Sequence, residues 1–185
     1  MQELTAAPTD RAREAGAVNL SWGVMESPLG PLGLVVSPEG LVTLTFSAVE
    51  EAVATLTERL PARIEHLQRP TRPVAQQLEE YFAGERRVFD LAIDWRLVSG
   101  FRAEVLRELR SVPYGTTVSY QDLAGRVGKP RAVRAVGSAM ATNPIPIVLP
   151  CHRVLRTGGG LGGYGAGLDA KRFLLRLEGV EAPPA

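Results

Sequence analysis

The sequence predicts an α+β protein. A small N-terminal α/β unit built on an antiparallel sheet is followed by a mainly helical C-terminal unit containing a helix-turn-helix. Three observations predict it. Short apolar segments separated by Gly- and Pro-containing turns crowd the first third of the chain. From Phe101 onward, apolar residues recur at helical spacing. Two helix signatures then flank a short Gly128-Lys129-Pro130 break. The units are residues 1–95 and 96–185, with 86–98 as the connection and 1–16 as a frayed tail.

Trp22 to Glu26, Leu32 to Ser37 and Leu41 to Phe46 read as strands, with Gly30-Pro31 and Pro38-Glu39-Gly40 supplying the turns. Val49 to Leu60 reads as a helix and Ala62 to Leu67 as a further strand, on which His66 is a surface residue. Pro73 is expected in the first turn of a helix that reaches Phe82 and stops at Gly84, because a missing N–H costs least there. Phe101, Val105, Leu109 and Val112 form one helical face, ended by Val112-Pro113-Tyr114-Gly115. Ser119 with Asp122 makes a capping-box-like start for a helix running to Arg126. Pro130 opens the next helix. Helical rotation puts Ala132, Val133, Val136, Ala139 and Met140 on its inner side. The outer side carries Arg131, Arg134, Ala135, Ser138 and Ala141. Small residues allow close approach to a groove, and arginine can enter a groove or a gap in a base stack. Asp169 is placed as the cap of the last helix, with Phe173, Leu174 and Leu177 as its buried face.

Composition narrows the classes. With 45% hydrophobic and 22% charged residues, the chain has material for a real core in one or two domains. No apolar run is long enough to span a membrane, and the first 16 residues lack a signal peptide's apolar centre. A cytoplasmic monomer is the expectation. The net charge of +1 hides an asymmetry. Residues 1–95 carry 8 Lys and Arg against 14 Asp and Glu, a balance of −6; residues 96–185 carry 13 against 6, a balance of +7. A basic half is the footprint of a polyanion partner, or an ordinary solvated face that contacts the acidic half.

The chemistry centres on Cys151, the single cysteine. It has no intramolecular disulfide partner and cannot build a multi-cysteine metal cage. Most lone cysteines are small buried hydrophobes. Here the neighbours His152 and Arg153 offer a base and a positive charge, which are what a thiol nucleophile needs. The glycines around Tyr164 permit close backbone approach to a flat group. A phosphate loop is the weaker reading of that stretch, because no Gly-Lys-Ser/Thr ending is present.

Pro150-Cys151-His152-Arg153-Val154 resembles the active-site signature of the O6-alkylguanine-DNA alkyltransferases. Asn143-Pro144-Ile145-Pro146-Ile147 upstream is similar to that family's approach to the cysteine. Gly163-Tyr164-Gly165-Ala166-Gly167-Leu168, Lys171, Leu174-Leu175 and Glu178-Gly179 resemble its pocket loop and last helix. Val112-Pro113-Tyr114-Gly115 with Ser119-Tyr120 and Leu123-Ala124 resembles its DNA-binding region. The likeness is strong from about Phe101 to Gly179 and weaker before it, where Gln77 to Gly84 and Phe89-Asp90-Leu91 also match.

The resemblance implies a partner, double-stranded DNA bearing O6-alkylguanine, and a single-turnover alkyl transfer to Cys151 from a flipped base; O4-alkylthymine is an expected further substrate. It implies His152 as base through a water, oriented by Glu178, and Tyr120 as donor to the departing guanine. The second helix would lie in the minor groove, with Arg134 filling the space left by the base and Arg131, Ala135 and Ser138 along the contact face. Met140, Asn143, Val154, Tyr164, Gly165 and Ala166 would form the substrate pocket. The carbonyls of Cys151 and Val154 would meet the guanine amine. Ala166 departs from the family's usual glycine, so it is expected to disfavour a bulky benzyl substituent. No organic cofactor is expected, and the N-terminal unit has too few cysteines and histidines for the zinc that some relatives carry.

Blander readings stay open at this stage. Arg134 and Lys171 can be solvated helix charges, Tyr120 a half-buried packing residue and Glu178 an exposed helix-end carboxylate. A non-catalytic alkylated-DNA binder, a helix-turn-helix regulator and a cysteine hydrolase are the rival functions. The first would lack the cysteine, the second would not need the Cys-His pair, and the third would ignore DNA.

Overall fold

The computed structural model describes residues 17–181; the tail expected over 1–16 lies outside them. Strands β1 (Val18–Met25), β2 (Leu32–Ser37) and β3 (Gly40–Thr45) form an antiparallel meander. After helix α1 (Val49–Arg59), strand β4 (Ala62–His66) joins β1 in parallel, with Ser21 opposite Glu65, giving the order β3-β2-β1-β4. The sheet is thus antiparallel with one parallel edge strand, because a helical return brings the chain back in the direction of β1. His66 is exposed on that edge strand and stacks on Trp22, with ring centroids 4.2 Å apart.

Both faces of the sheet are covered, which is why five of the six residues of β2 are buried. Leu20, Val35 and Val42 pack with Val49 and Leu56 of α1. Leu32, Leu34 and Leu44 face the other way and join Val74, Leu78 and Tyr81 of helix α2 (Gln68–Phe82). This helix starts five residues before Pro73, so Pro73 sits inside it rather than in its first turn. An interior proline costs about 3 kcal/mol. Burial of large apolar side chains returns roughly 1.5–3 kcal/mol each, and Val74, Leu78 and Tyr81 are all buried along this helix.

The second half packs helices α3 (Gly100–Arg110), α4 (Tyr120–Arg126), α5 (Val133–Ala141) and α6 (Gly167–Leu177). The capping box is present: Ser119 Oγ accepts from Asp122 N at 3.0 Å, and Ser119 N donates to Asp122 Oδ2 at 2.9 Å. Gly128 ends α4 with a φ of 72°, and Lys129 N reaches back to Ala124 O at 2.9 Å. That is a Schellman-type stop needing a residue free to adopt the left-handed region. Lys129 then pairs with Glu104 at 2.9 Å and lies over the Phe101 ring, fixing the turn to α3. Pro130 does not open α5. Ala132 N donates to Lys129 O at 2.8 Å, so Pro130 and Arg131 are used in closing a turn, and the helix begins at Val133. Its inner face is buried at Val136, Ala139 and Met140, whereas Arg131, Arg134, Ala135, Ser138 and Ala141 are exposed.

Asp169 does not cap α6. It is the third residue of a helix without a side-chain cap and pairs with Arg172 at 3.0 Å. The buried face is rotated from the expected one: Leu174 and Leu175 are fully buried, but Phe173 and Leu177 only half.

The two halves share one continuous buried cluster, running from Leu34 and Tyr81 through Leu106 and Leu109 to Leu149 and Leu174. Hydrogen bonds lock the junction. Leu44 N and Thr43 Oγ1 of β3 both donate to Pro144 O, at 2.9 and 2.7 Å. The sheet edge thereby anchors the segment that leads to Cys151.

Candidate active site

Residues 143–150 form a tightly held turn ahead of the thiol. Asn143 Nδ2 donates to Leu149 O at 2.8 Å, and Asn143 Oδ1 accepts from Ile145 N at 3.0 Å. Ile147 is held at a φ of 72° and is fully buried. A β-branched residue in the left-handed region costs about 1–3 kcal/mol, so the surrounding bonds must over-determine it. The turn delivers Cys151, His152 and Arg153 as one 3₁₀ turn with all three side chains buried. Strand β6 (Val154–Leu155) follows and pairs in parallel with β5 (Val118–Ser119). That two-residue ladder places Tyr120, the first residue of α4, beside the cysteine turn.

Cys151 and Tyr120 open onto a cavity of about 330 Å³, within the size range of small-ligand pockets. Gly137, Met140 and Ala141 of α5 form one wall, and Gly163, Tyr164 and Gly165 the other. Asn143 lines an adjoining cavity of about 190 Å³ that also reaches Cys151 and Tyr164. Neither cavity is lined by Ala166, which sits at the start of α6. The expectation that its methyl group meets the alkyl substituent has no geometric basis here. Val154 is fully buried and also absent from both walls. Its carbonyl accepts from Lys171 Nζ at 2.6 Å, as the Cys151 carbonyl accepts from Val154 N. Each carbonyl keeps a second lone pair.

Behind the thiol lies a buried ionic network centred on Glu178, which closes the C-terminus of α6. Its Oε1 accepts from His152 Nε2 at 2.8 Å, Arg153 Nη2 at 2.9 Å and Tyr81 Oη at 2.7 Å. Its Oε2 accepts from Arg153 Nε at 2.9 Å and Gly115 N at 3.2 Å. Burial pushes this carboxyl up, but the hydrogen bonds and charges of His152 and Arg153 outweigh it and hold it down at about 2. A carboxylate can only accept, so His152 Nε2 carries the proton of that bond. Burial drives the imidazole toward its neutral form against the pull of Glu178. Nδ1 is consequently an unprotonated acceptor, and it is buried without a protein partner.

The thiol's surroundings differ from the sequence expectation. Arg153 turns away from Cys151 to Glu178 and Val112 O. The cation acting on the thiol is Lys171, which is no solvated charge: it is fully buried, and its ammonium is held by the carbonyls of Val154 and Leu161. Burial lowers Lys171 to about 8, with the thiol opposing that fall. Burial pushes the Cys151 thiol up, while Asn143 and Lys171 draw it back. Tyr120 is pushed up by burial as well, so it is a phenol, and a proton donor, at neutral pH. The Tyr164 hydroxyl is buried without a protein partner, its ring 6.5 Å from that of His152.

These features match known proteins across both halves. The family model described as the DNA binding domain of 6-O-methylguanine DNA methyltransferase matches residues 100–180. The one described as that protein's ribonuclease-like domain matches residues 20–95. A methylated-DNA–protein-cysteine methyltransferase from Methanosarcina barkeri is 41% identical over 157 residues, covering 85% of this chain and 96% of the relative. The chain belongs to the methylated-DNA–protein-cysteine methyltransferase family. A relative of the same name from Mycobacterium tuberculosis is 39% identical over 166 residues, covering 89% of this chain and 95% of the relative. Among solved structures, Mycobacterium tuberculosis OGT in complex with DNA superposes with a TM-score of 0.74 at 36% identity, covering 86% of this chain and 93% of that one. The O6-methylguanine-DNA methyltransferase of Pyrococcus kodakaraensis gives 0.62 at 27% identity, covering 87% and 99%.

In this methyltransferase-family chain, the fold gathers Cys151, His152, Glu178, Tyr120, Met140, Tyr164 and Gly165 at one place, leaves Arg134, Ala135 and Ser138 on the exposed face of α5, and leaves Arg131 exposed in the turn before it. Sequence reasoning missed Tyr81. Its spacing from Val74 and Leu78 marks it as core, and only the need of a buried hydroxyl for a partner hinted at more.

Gly162 gives a local test of the pocket. It holds a φ of 67°, and a Cβ there would lie 2.9 Å from the Tyr120 hydroxyl. Gly162→Ala is therefore expected to displace Tyr120 and slow alkyl transfer about tenfold, and the left-handed backbone adds a stability cost of about 1–2 kcal/mol. Single-turnover kinetics on alkylated duplex check this; an unchanged rate would mean that Tyr120 tolerates displacement.

Proposed function

We propose that this protein performs direct-reversal DNA repair, moving one alkyl group from O6-alkylguanine in duplex DNA onto Cys151 and being consumed in doing so. The observation that carries the proposal is the lone thiol on the cavity, backed by a neutral imidazole whose free Nδ1 is set by Glu178. His152 Nδ1 takes the thiol proton, through a water. The sulfur electron pair then forms the S–C bond as the C–O6 bond breaks. The C–O6 pair stays on the guanine, whose ring nitrogen takes up a proton with Tyr120 donating to the developing charge. The net change is thiol plus alkylguanine to thioether plus guanine. Orienter, base and nucleophile follow triad logic, but the product thioether is stable and no second cysteine exists to release it. The same displacement extends to O4-alkylthymine, which presents an equivalent alkyl ether.

The reacting carbon is out of reach in a stacked duplex, so the base must be extruded at a cost of a few kcal/mol. Helix α5 supplies the contact in this reading: its exposed face is small apart from Arg134, which would fill the gap, while Ala135, Ser138 and Arg131 of the preceding turn would lie beside the backbone. A thiol that acts once must stay reduced until then, which supports a cytoplasmic site of action. Among the described residues no helix is long and apolar enough to cross a membrane.

Arg134→Ala tests the flipping role. Repair of alkylated duplex is expected to slow at least tenfold, while reaction with the free alkylated base stays within twofold, because Arg134 supports only the flipped state. Equal losses on both substrates would remove that role.

A further inference from the structure

Tyr81 belongs to the N-terminal half, yet its hydroxyl ends inside the network behind the thiol. It lies on α2, is fully exclusive of solvent, and donates to Glu178 Oε1 at 2.7 Å. That same oxygen accepts from His152 Nε2 at 2.8 Å. We propose that Tyr81 is a positioning residue for the reaction: by sharing Glu178 Oε1 with His152, it sets how strongly Glu178 pulls on the imidazole, and so keeps His152 a neutral base. The proposal rests on the alkyl-transfer reading only for its consequence, not for its geometry.

Each donor on Oε1 draws off part of the carboxylate's negative charge. Removing the Tyr81 hydroxyl leaves that charge to His152 and Arg153, and a stronger opposite charge favours the imidazolium. An imidazolium has no free Nδ1 and cannot accept the thiol proton. Tyr81 itself does not compete as an acid, since burial and the Glu178 charge push its phenol far above its ordinary range. The other groups facing this pair are accounted for. Arg153 and Lys171 oppose a charge on His152, and Glu178 favours it. Gly115 N lies on the opposite oxygen. Tyr114 spends its hydroxyl on Leu177 O, and Tyr164 meets the imidazole with its ring. Tyr81 is thus the uncharged member of the network that can be changed without altering its net charge.

The geometry also gives the N-terminal half a function beyond support. Its sheet holds the cysteine turn through Pro144 O, and its helix α2 holds the orienting carboxylate through Tyr81. One half of the molecule therefore adjusts the base carried by the other.

The chain has only two histidines, His66 and His152, so their imidazole nitrogens can be followed separately by ¹⁵N NMR. In the full-length Tyr81→Phe protein the His152 titration midpoint is expected to rise by about half a unit to one unit. The acid limb of the alkyl-transfer pH profile should move by the same amount. Replacing Tyr81 by 3-fluorotyrosine keeps the hydroxyl, strengthens it as a donor and should move the midpoint the other way; it serves if the phenylalanine variant does not fold. A folded variant in which neither His152 nor the pH profile moves would overturn the proposal. If His152 moves but no alkyl group is ever transferred, the linkage stands and the repair reading fails.

Discussion

Cys151→Ala protein is expected to transfer no alkyl group from O6-methylguanine duplex while binding that duplex as tightly as the unmodified protein. Cys151 is the single thiol, so no other side chain offers a thiolate to the cavity. Alanine leaves the 3₁₀ turn intact because the turn is held by backbone bonds and by Asn143 rather than by sulfur. The groups proposed to face DNA lie on the exposed side of α5, away from the substitution in sequence. Single-turnover assays with labelled alkyl groups and a parallel binding titration check both halves of the expectation. Residual transfer above background, or binding lost together with transfer, would show that the sulfur is not the acceptor or that it has a structural role.

Glu178→Gln is expected to have the second largest effect, and it acts on stability as well as rate. Every donor around this carboxylate points a hydrogen at it, so a carboxamide would direct its own NH₂ at one of them. The buried Arg153 guanidinium would also lose its counter-charge. Breaking a buried pair in this way costs about 3–5 kcal/mol, and losing a positioned base costs transfer by a factor on the order of 10². Thermal unfolding and single-turnover transfer measure the two effects separately. The same carboxyl predicts the acid behaviour of the unmodified protein. Its folded value, about 2, lies below the ordinary glutamate value of 4.5, so the unfolded chain binds the proton first as pH falls. The stability that Glu178 contributes is present above about 4.5 and is lost as pH drops toward 2. Glu178→Gln should flatten unfolding free energy across that window; an unchanged slope would mean that Glu178 is not held as a carboxylate.

The parts legible in the sequence were those governed by local rules. Turn residues on either side of a short apolar run located β2 at its observed bounds, and Ser119 with Asp122 located the start of α4. The pairing direction of β4 was not legible, because a strand's own residues do not say which way its neighbour runs. Pro73 and Asp169 misled for a related reason: both are good helix starters, yet each helix begins upstream of the residue that local preference favoured, at Gln68 and at Gly167, and in α2 the added turn buries Thr71. At the site, Cys151 and His152 were visible as neighbours in the chain. Glu178 lies 26 residues from His152 and Tyr81 lies 97 from Glu178, so their meeting depends on how α6 and α2 pack. Arg153 and Lys171 exchanged expected roles because the 3₁₀ turn points Arg153 back toward Glu178, leaving the cation from α6 to act on the thiol.

One alkyl group is expected to pass once, from DNA to Cys151. Intact-protein mass measurement after incubation with excess O6-methylguanine duplex, followed by peptide mapping, tests it most directly. The expected result is a gain of one methyl group per molecule, located on Cys151, with no further conversion of substrate after the protein is used up. Continued turnover, or a methyl group mapped to any other residue, would contradict it.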